Sequence, residues 1–172
     1  MSVADIVALN GTDEAAFAAA LAPLFEGAPR FLARLAVERP YDGWDTLFEI
    51  ARGIAHVMPE EEQIELIDAH PRLGAPPGSV SALSFREQGY DRPPGPVDAA
   101  AELERLNAAY EARFGFRYCV FVAGRSRAAL IPDFERALGA DREGEIHRAL
   151  DAVVDIADAR RLALGSEAGA AS

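Results

Sequence analysis

Apolar residues recur every three to four positions along most of the chain, and this spacing predicts amphipathic helices. Capping residues and prolines mark where these helices begin and end. The first predicted helix follows the N-cap Thr12. The next four run from Pro29 to about Glu38, from about Gly43 to Val57, from Pro59 to His70 and from about Val97 to Arg113. One more follows the cap Ser126, and the last runs from about Asp141 to Leu164. The predicted fold is all-α. It is a single-domain compact bundle of about seven to eight helices over residues 1–172, with a core over about 12–164 and a short flexible tail over 165–172.

Two stretches depart from the helical spacing. Residues 71–96 hold six prolines around one short segment, Ser84–Gln88. A connection of this length in a compact domain is usually functional, so we expect a proline-rich active-site segment. The run Phe114–Val122 has β-like composition but no partner strand, and we interpret it as a buried extended segment. Pro132 lies inside the helix that follows Ser126 and predicts a kink or a delayed start there.

Composition narrows the function classes. The 172 residues include 17 basic and 28 acidic ones, which gives a formal net charge of −11. This balance disfavours nucleic acid and anionic membranes as partners, because both are bound through basic patches. Cys119 is the only cysteine, which excludes an internal disulfide, and the chain has no lysine for a Schiff base. It also lacks nucleotide-binding, metalloprotease and serine-hydrolase motifs. We expect a soluble cytoplasmic protein and, if it is an enzyme, one that needs no cofactor or metal.

His70 stands where a predicted helix stops before Pro71. Its imidazole titrates near neutrality, which suits acid–base catalysis. The structural alternative is a histidine that bonds to the last carbonyls of its own helix. His56 and His147 lie on predicted helices and are weaker candidates.

The segment Ser84-Phe85-Arg86-Glu87 also has two interpretations. It matches a capping box, in which Ser84 caps the helix and Glu87 reaches back to the cap. Alternatively, Glu87 faces the same cavity as His70, with Gln88 supplying an amide to a polar ring of side chains.

Arg160 and Arg161 both border the apolar stripe of the last helix, one on each side of it. Both could extend to water in the manner of most surface arginines. A half-buried arginine that faces a cleft would instead be suited to hold a substrate carboxylate. Helix geometry alone does not choose between the two residues.

Several short motifs occur in one order along nearly the whole chain. They are Arg39-Pro40, Ala69-His70-Pro71-Arg72-Leu73-Gly74, Ser84-Phe85-Arg86-Glu87-Gln88, Tyr110 before Phe114-Gly115-Phe116, Gly124-Arg125-Ser126 and Ile156-Ala157-Asp158-Ala159-Arg160. In this order they resemble the 2-oxo-4-hydroxy-4-carboxy-5-ureidoimidazoline (OHCU) decarboxylase family, which makes (S)-allantoin in urate breakdown. The chain departs from the family pattern at Pro132, within a helix that is usually uninterrupted, and at Phe121, where a smaller residue is common.

The resemblance implies an all-α homodimer that needs no cofactor. It makes His70 the acid–base residue, with Pro71 lining the pocket and Glu87 orienting or polarising the substrate. It implies that Ser84 and Gln88 hydrogen-bond the ureido and ring groups. It favours Arg160 over Arg161 as the arginine of the polar site. The backbone of the extended run would offer donors and acceptors to the flat heterocycle, from residues Cys119, Val120, Phe121, Val122 and Ala123.

Two other classes of function stay open at this point. One is a binding protein of the same fold that holds a ureido-imidazoline or another purine metabolite without turnover. The other is a helical module that docks a partner protein. The second class would explain the amphipathic helices but not the ordered polar residues around the proline-rich segment.

Overall fold

The computed structural model describes residues 5–93 and 99–170, with the backbone alone for 167–170. Within these ranges the chain forms nine α-helices and one short 3-10 turn, Pro77–Ser79, and no strand. The helices are α1 (Ile6–Asn10), α2 (Glu14–Leu21), α3 (Pro29–Val37), α4 (Trp44–Val57), α5 (Glu60–Asp68), α6 (Ala82–Glu87), α7 (Ala100–Phe114), α8 (Arg127–Ala137) and α9 (Arg142–Ala170). The predicted all-α class is confirmed. None of the helices in the described ranges combines the length and apolarity needed to cross a membrane.

Prolines and caps set most helix boundaries as predicted. Pro29 is the first residue of α3, where its missing N–H costs no helical hydrogen bond. Gly43 and Pro59 are the N-caps of α4 and α5. The Ser126 hydroxyl accepts a hydrogen bond from the Ala129 N–H at 3.1 Å and so caps α8. α8 begins directly after this cap, so Pro132 within it does not delay its start.

Three boundaries differ from the prediction. Asp13, not Thr12, caps α2, because its carboxylate accepts from the Ala16 N–H at 2.7 Å while the Thr12 hydroxyl donates to the Leu9 carbonyl. α1 was not predicted, because one turn of helix is too short to show a periodicity. α9 continues to Ala170, past the predicted end at Leu164, because no proline follows to stop it. The predicted start of α7 at Val97 lies outside the described residues.

The long helix α9 packs against α4 and α5, and α7 packs against α8. The segment 115–126 between α7 and α8 has no regular secondary structure. Phe114 ends α7, so the predicted run is non-helical from residue 115 onward, and residues 116–122 of it are buried or half-buried. An aromatic cluster anchors this segment: the Tyr118 ring stacks on Phe134 with centroids 3.8 Å apart, and Tyr110 contacts both rings. The packing holds residues 118–124 beside α6 and α9, where a cavity opens.

Candidate active site

A cavity of about 340 Å³ lies between the end of α5, helix α6, the segment 118–124 and the second half of α9. All of the residues that the family resemblance assigns to the site line it: His70, Pro71, Ser84, Glu87, Gln88, Cys119, Val120, Phe121, Val122, Ala123 and Arg160. The lining also includes Leu73, Leu83, Tyr118, Ile156, Ala163 and Leu164. Sequence reasoning missed these apolar residues because their spacing is that of ordinary core positions.

His70 combines features of both of its interpretations. It lies two residues beyond the end of α5, and its Nδ1 is 3.2 Å from the Leu66 carbonyl oxygen. A carbonyl only accepts, so Nδ1 carries the proton and donates it. Nε2 is buried and, among the residues that the structure describes, has no hydrogen-bond partner. Burial and the nearby Arg160 guanidinium lower the pKa of His70 to about 4, so the ring is neutral at pH 7 and Nε2 is a bare acceptor.

Arg160 is the centre of a buried polar network. It is only 2 % exposed, and its Nε and Nη2 donate to the two carboxylate oxygens of Glu87 at 2.6 and 2.8 Å. Nη2 also donates to Glu26 Oε1 at 2.8 Å and to the Ser84 hydroxyl at 2.9 Å. Nη1 donates to the Pro23 carbonyl at 2.9 Å. Every nitrogen of the guanidinium therefore has a protein partner, which an arginine needs when it is buried.

The capping-box interpretation of residues 84–87 is wrong. Ser81 is the N-cap of α6, and its hydroxyl accepts from the Ser84 N–H at 3.2 Å. Ser84 lies inside the helix, where its hydroxyl donates to Glu26 at 2.7 Å. The carboxylate of Glu87 is bound to Arg160 and not to the helix start. The serine three residues upstream competes for the cap, and the sequence motif alone could not rank the two.

Glu26 is a polar residue of this network that the sequence analysis missed. Its Oε1 accepts hydrogen bonds from Ser81, Ser84 and Arg160. Burial alone would raise its pKa, but these hydrogen bonds and the charge of Arg160 outweigh burial and lower it, so Glu26 is ionised. Its backbone has a φ of +51°, unusual for a residue with a side chain, and Gly27 follows at +86°. A charged residue before glycine in an otherwise apolar stretch was the signal available in the sequence.

Gln88 braces the loop that follows α5. Its Oε1 accepts from the Gly74 N–H at 2.7 Å, and its Nε2 donates to the Arg72 carbonyl at 3.0 Å. Gly74 has a φ of +83°, and a Cβ there would lie 3.0 Å from Leu103 Cδ1, so only glycine fits without strain. The Tyr90 hydroxyl donates to the Ala75 carbonyl further along the same loop. These bonds fix the loop beside His70.

Arginines hold the cavity wall formed by residues 119–123. Nη1 of Arg117 donates to the carbonyls of Asp68 and His70 at 2.7 and 3.2 Å. Arg125 donates to the carbonyls of Phe121 and Val122 at 2.9 and 3.1 Å. At the end of the wall Ala123 has a φ of +50°, so it is the second non-glycine residue with a left-handed backbone near the site, after Glu26.

Two other candidates can be placed directly. Arg161 pairs with Asp158 at 2.9 Å and lies over the rings of Trp44 and Phe48, away from the cavity. Burial raises the pKa of Cys119 to about 12, so its thiol is not ionised at neutral pH. Over residues 5–93 and 99–170, no three His, Cys, Asp or Glu side chains converge as metal ligands would.

Comparisons with known proteins identify the family and the fold. The family model of OHCU decarboxylase matches residues 10–162. The chain is 26 % identical over 152 residues to the 2-oxo-4-hydroxy-4-carboxy-5-ureidoimidazoline decarboxylase of Haloferax volcanii, covering 88 % of this chain and 90 % of that protein. It is 28 % identical over 160 residues to the mouse (Mus musculus) protein of the same name, covering 91 % and 90 %. A crystal structure of OHCU decarboxylase in the presence of (S)-allantoin has the same fold, with a TM-score of 0.68 at 20 % identity over 90 % of this chain and 99 % of that one. This chain belongs to the OHCU decarboxylase family.

Proposed function

We propose that this protein decarboxylates OHCU to (S)-allantoin in urate degradation, without a cofactor. The observation that carries the proposal is His70, a buried, neutral imidazole on the cavity whose Nε2 has no partner within residues 5–93 and 99–170. An unsatisfied buried acceptor costs free energy, and a substrate hydrogen-bond donor would satisfy it. Family membership over residues 10–162 supports the reaction class, a carboxy-lyase.

The substrate supplies its own electron sink. When the bond between the ring carbon and the carboxylate breaks, carbon dioxide leaves and the electron pair of that bond forms a C=C bond to the neighbouring ring carbon. The former C=N pair moves onto the ring nitrogen, which takes up a proton from water. The resulting enol loses the proton of its hydroxyl group, and the carbon that bears the ureido group gains one. Nε2 of His70 is free to accept the proton of the enol hydroxyl group and to return a proton to the carbon that bears the ureido group. Delivery from one side of the ring would fix the (S) configuration.

Glu87 would be the charged group that orients the substrate, because it lines the cavity and its two oxygens are already held. Arg160 has no free nitrogen, so we assign it a positioning role through Glu87 instead of direct contact with the substrate carboxylate. The Ser84 hydroxyl donates to Glu26 and accepts from Arg160, which leaves one lone pair on its oxygen to accept a further hydrogen bond. Gln88 keeps one amide hydrogen beyond its bond to Arg72. Pro71 and the backbone of residues 119–123 would contact the flat heterocycle.

The test uses OHCU made freshly from urate by a urate oxidase and a hydroxyisourate hydrolase. Optical rotation then reports the rate and the handedness of allantoin formation together, since uncatalysed decay gives racemic product. We expect rapid (S)-allantoin from the wild type, and a loss of about 10²- to 10⁴-fold in His70→Asn. His56→Asn is the matched control, because His56 pairs with Asp151 away from the cavity.

Racemic product at the uncatalysed rate would contradict the proposal. Under that outcome, a rise in melting temperature with added (S)-allantoin would favour a binding protein of the same fold. No shift, together with co-elution of an unrelated protein, would favour a docking module.

We further propose a homodimer and a cytoplasmic location. The family resemblance supports the dimer, and the single, buried, reduced thiol of Cys119 suits a reducing compartment. Light scattering on the eluting protein tests the dimer, and fractionation of the host cell tests the location.

A further inference from the structure

Behind the wall of the cavity lies a second charge cluster, with a buried carboxylate and a half-buried guanidinium, that the proposed mechanism does not use. Glu145 is 3 % exposed, and its Oε2 accepts from the Tyr110 hydroxyl at 2.6 Å. Arg148, one turn along α9, donates to Glu145 through Nη2 at 2.8 Å and through Nε at 2.9 Å. Its remaining terminal nitrogen, Nη1, donates to the Cys119 carbonyl at 2.9 Å. Within the part of the chain that the structure describes, none of Tyr110, Glu145 and Arg148 lines the cavity.

Core stability alone does not account for such a cluster. Burial of the Glu145 carboxylate costs desolvation, and its attraction to an arginine that is 35 % exposed returns only part of that cost. What a guanidinium adds is directional bonding: its planar fork engages Glu145 on one side and the Cys119 carbonyl on the other. The Arg148 guanidinium also lies 4.8 Å from the centroid of the Tyr118 ring, which is itself stacked on Phe134. Its orientation is therefore set from three directions.

The carbonyl that Arg148 holds belongs to the first residue of the wall formed by 119–123. Two residues earlier, the side chain of Arg117 is bonded to the His70 carbonyl, and the Arg117 N–H donates to Asp68 Oδ1 at 2.8 Å. Arg117 thus connects the start of the wall to His70 through a hydrogen bond. Arg148 holds the Cys119 carbonyl, and with it the orientation of the backbone that follows residue 117. The angle between wall and imidazole decides which face of a bound ring meets Nε2.

We infer that Arg148 is a positioning residue of the active site: held by Glu145 and Tyr110, it fixes the Cys119 peptide and through it the wall that the substrate ring meets. This inference rests on the proposed function, because the wall matters to catalysis only if a ring binds against it. Loss of the bond should misplace the substrate relative to His70, and misplacement of about 1 Å costs up to roughly 100-fold in rate.

Three variants separate positioning from stability. Arg148→Met removes the bond to Cys119 but leaves Glu145 without its cation. The double variant Glu145→Gln/Arg148→Met removes both charges, so its melting temperature should lie closer to that of the wild type. Arg148→Lys keeps a charge and should restore part of the function. We expect KM to rise about tenfold and the excess of (S)-allantoin to fall in both methionine variants, with Arg148→Lys in between.

A loss of folded protein would lower the apparent kcat and leave KM and handedness unchanged. The matched control is Arg105→Met, which removes an arginine with the same spacing to its partner, Glu102, on an exposed face of α7. Wild-type KM and product handedness in the double variant would overturn the inference.

The single cysteine gives a readout that needs no turnover. Cys119 is 3 % exposed, so a thiol reagent such as Ellman's reagent should label the native protein slowly. If Arg148 holds this peptide, the double variant should react about tenfold faster at an equal melting temperature. A wild-type rate of labelling in that variant would also count against the inference. Absence of turnover in the wild type would refute the proposed function, and the labelling rates would still decide what Arg148 does.

Discussion

Arg160 holds Glu87 by two hydrogen bonds, from Nε to Oε1 at 2.6 Å and from Nη2 to Oε2 at 2.8 Å, across 73 positions of sequence. The pair joins α9 to the last residue of α6, and Glu26 binds the same guanidinium from the turn after α2. Two carboxylates thus share one buried cation, and the side chain of Glu87 is fixed in place without help from a substrate. Such preorganisation is what the proposed chemistry requires of the site.

The first prediction compares two neighbouring arginines. Arg160→Met leaves the carboxylates of Glu26 and Glu87 without their cation, so it should lower the free energy of unfolding by about 3 to 5 kcal/mol. Arg161→Met removes a partly exposed pair with Asp158 and should cost about 1 kcal/mol or less. Urea denaturation of both variants at pH 7 measures the difference. If both variants lose the same free energy of unfolding, the buried hydrogen bonds of Arg160 do not stabilise the fold more than an exposed ion pair does.

The second prediction separates the two carboxylates that share Arg160. Glu87→Gln and Glu26→Gln each put an amide where a guanidinium donates, so each should cost about 1 to 3 kcal/mol of stability. Glu87 lines the cavity and Glu26 lies behind it, so Glu87→Gln should lower kcat/KM by about 100-fold or more and Glu26→Gln by much less.

The assay is (S)-allantoin formation at a temperature where both glutamine variants are folded, which circular dichroism establishes. If the two variants lose activity in proportion to their lost stability alone, Glu87 has no separate role in the reaction.

The sequence predicts the helices well because their signals are local. Pro29, Gly43 and Ser126 each act on the turn that contains them, and the structure confirms all three. The two local errors have local causes. Asp13 competes with its neighbour Thr12 for the cap of α2, and α1 is too short for its apolar residues to show a helical spacing.

The site was only partly predictable, because its bonds join distant parts of the chain. The order of motifs pointed to His70, Glu87 and Arg160. The residues next to Arg160 in the sequence do not reveal that every nitrogen of its guanidinium already has a hydrogen-bond partner in the protein. Glu26 was missed because its partners lie 55 to 134 positions away. A capping interpretation of Ser84 stood beside the functional one, because a motif of four residues does not reveal a carboxylate from another turn.

The third prediction concerns the loop beside His70. Gly74→Ala places a Cβ 3.0 Å from Leu103 in a left-handed backbone, so it should cost about 1 to 3 kcal/mol and disturb the bond between the Gly74 N–H and Gln88. Gly78→Ala is the matched control, since no atom lies within 4 Å of the added Cβ and the backbone is not left-handed. Thermal unfolding of both variants measures the cost. A loss in Gly78→Ala as large as that in Gly74→Ala would show that the strain is not the cause.

The fourth prediction is a pH dependence of stability set by His70. Burial and Arg160 lower its pKa from about 6.5 in the unfolded chain to about 4 in the folded protein. Between these values the unfolded chain binds more protons, so the free energy of unfolding falls as the pH falls. The stabilisation is complete above pH 6.5 and is lost as the pH approaches 4. The total corresponds to about 3 kcal/mol.

His70→Asn isolates this contribution from other groups, such as Glu26, whose lowered pKa also makes stability fall in acid. Guanidinium unfolding at pH 7.5 and 4.5 should show that the wild type loses about 2 to 3 kcal/mol more than the variant over this range. Asparagine cannot be protonated here, so the variant carries only the background of the remaining groups. Equal losses in the two proteins would mean that His70 is protonated in the folded state near pH 6.5. Nε2 would then not be the bare acceptor that the proposed mechanism uses.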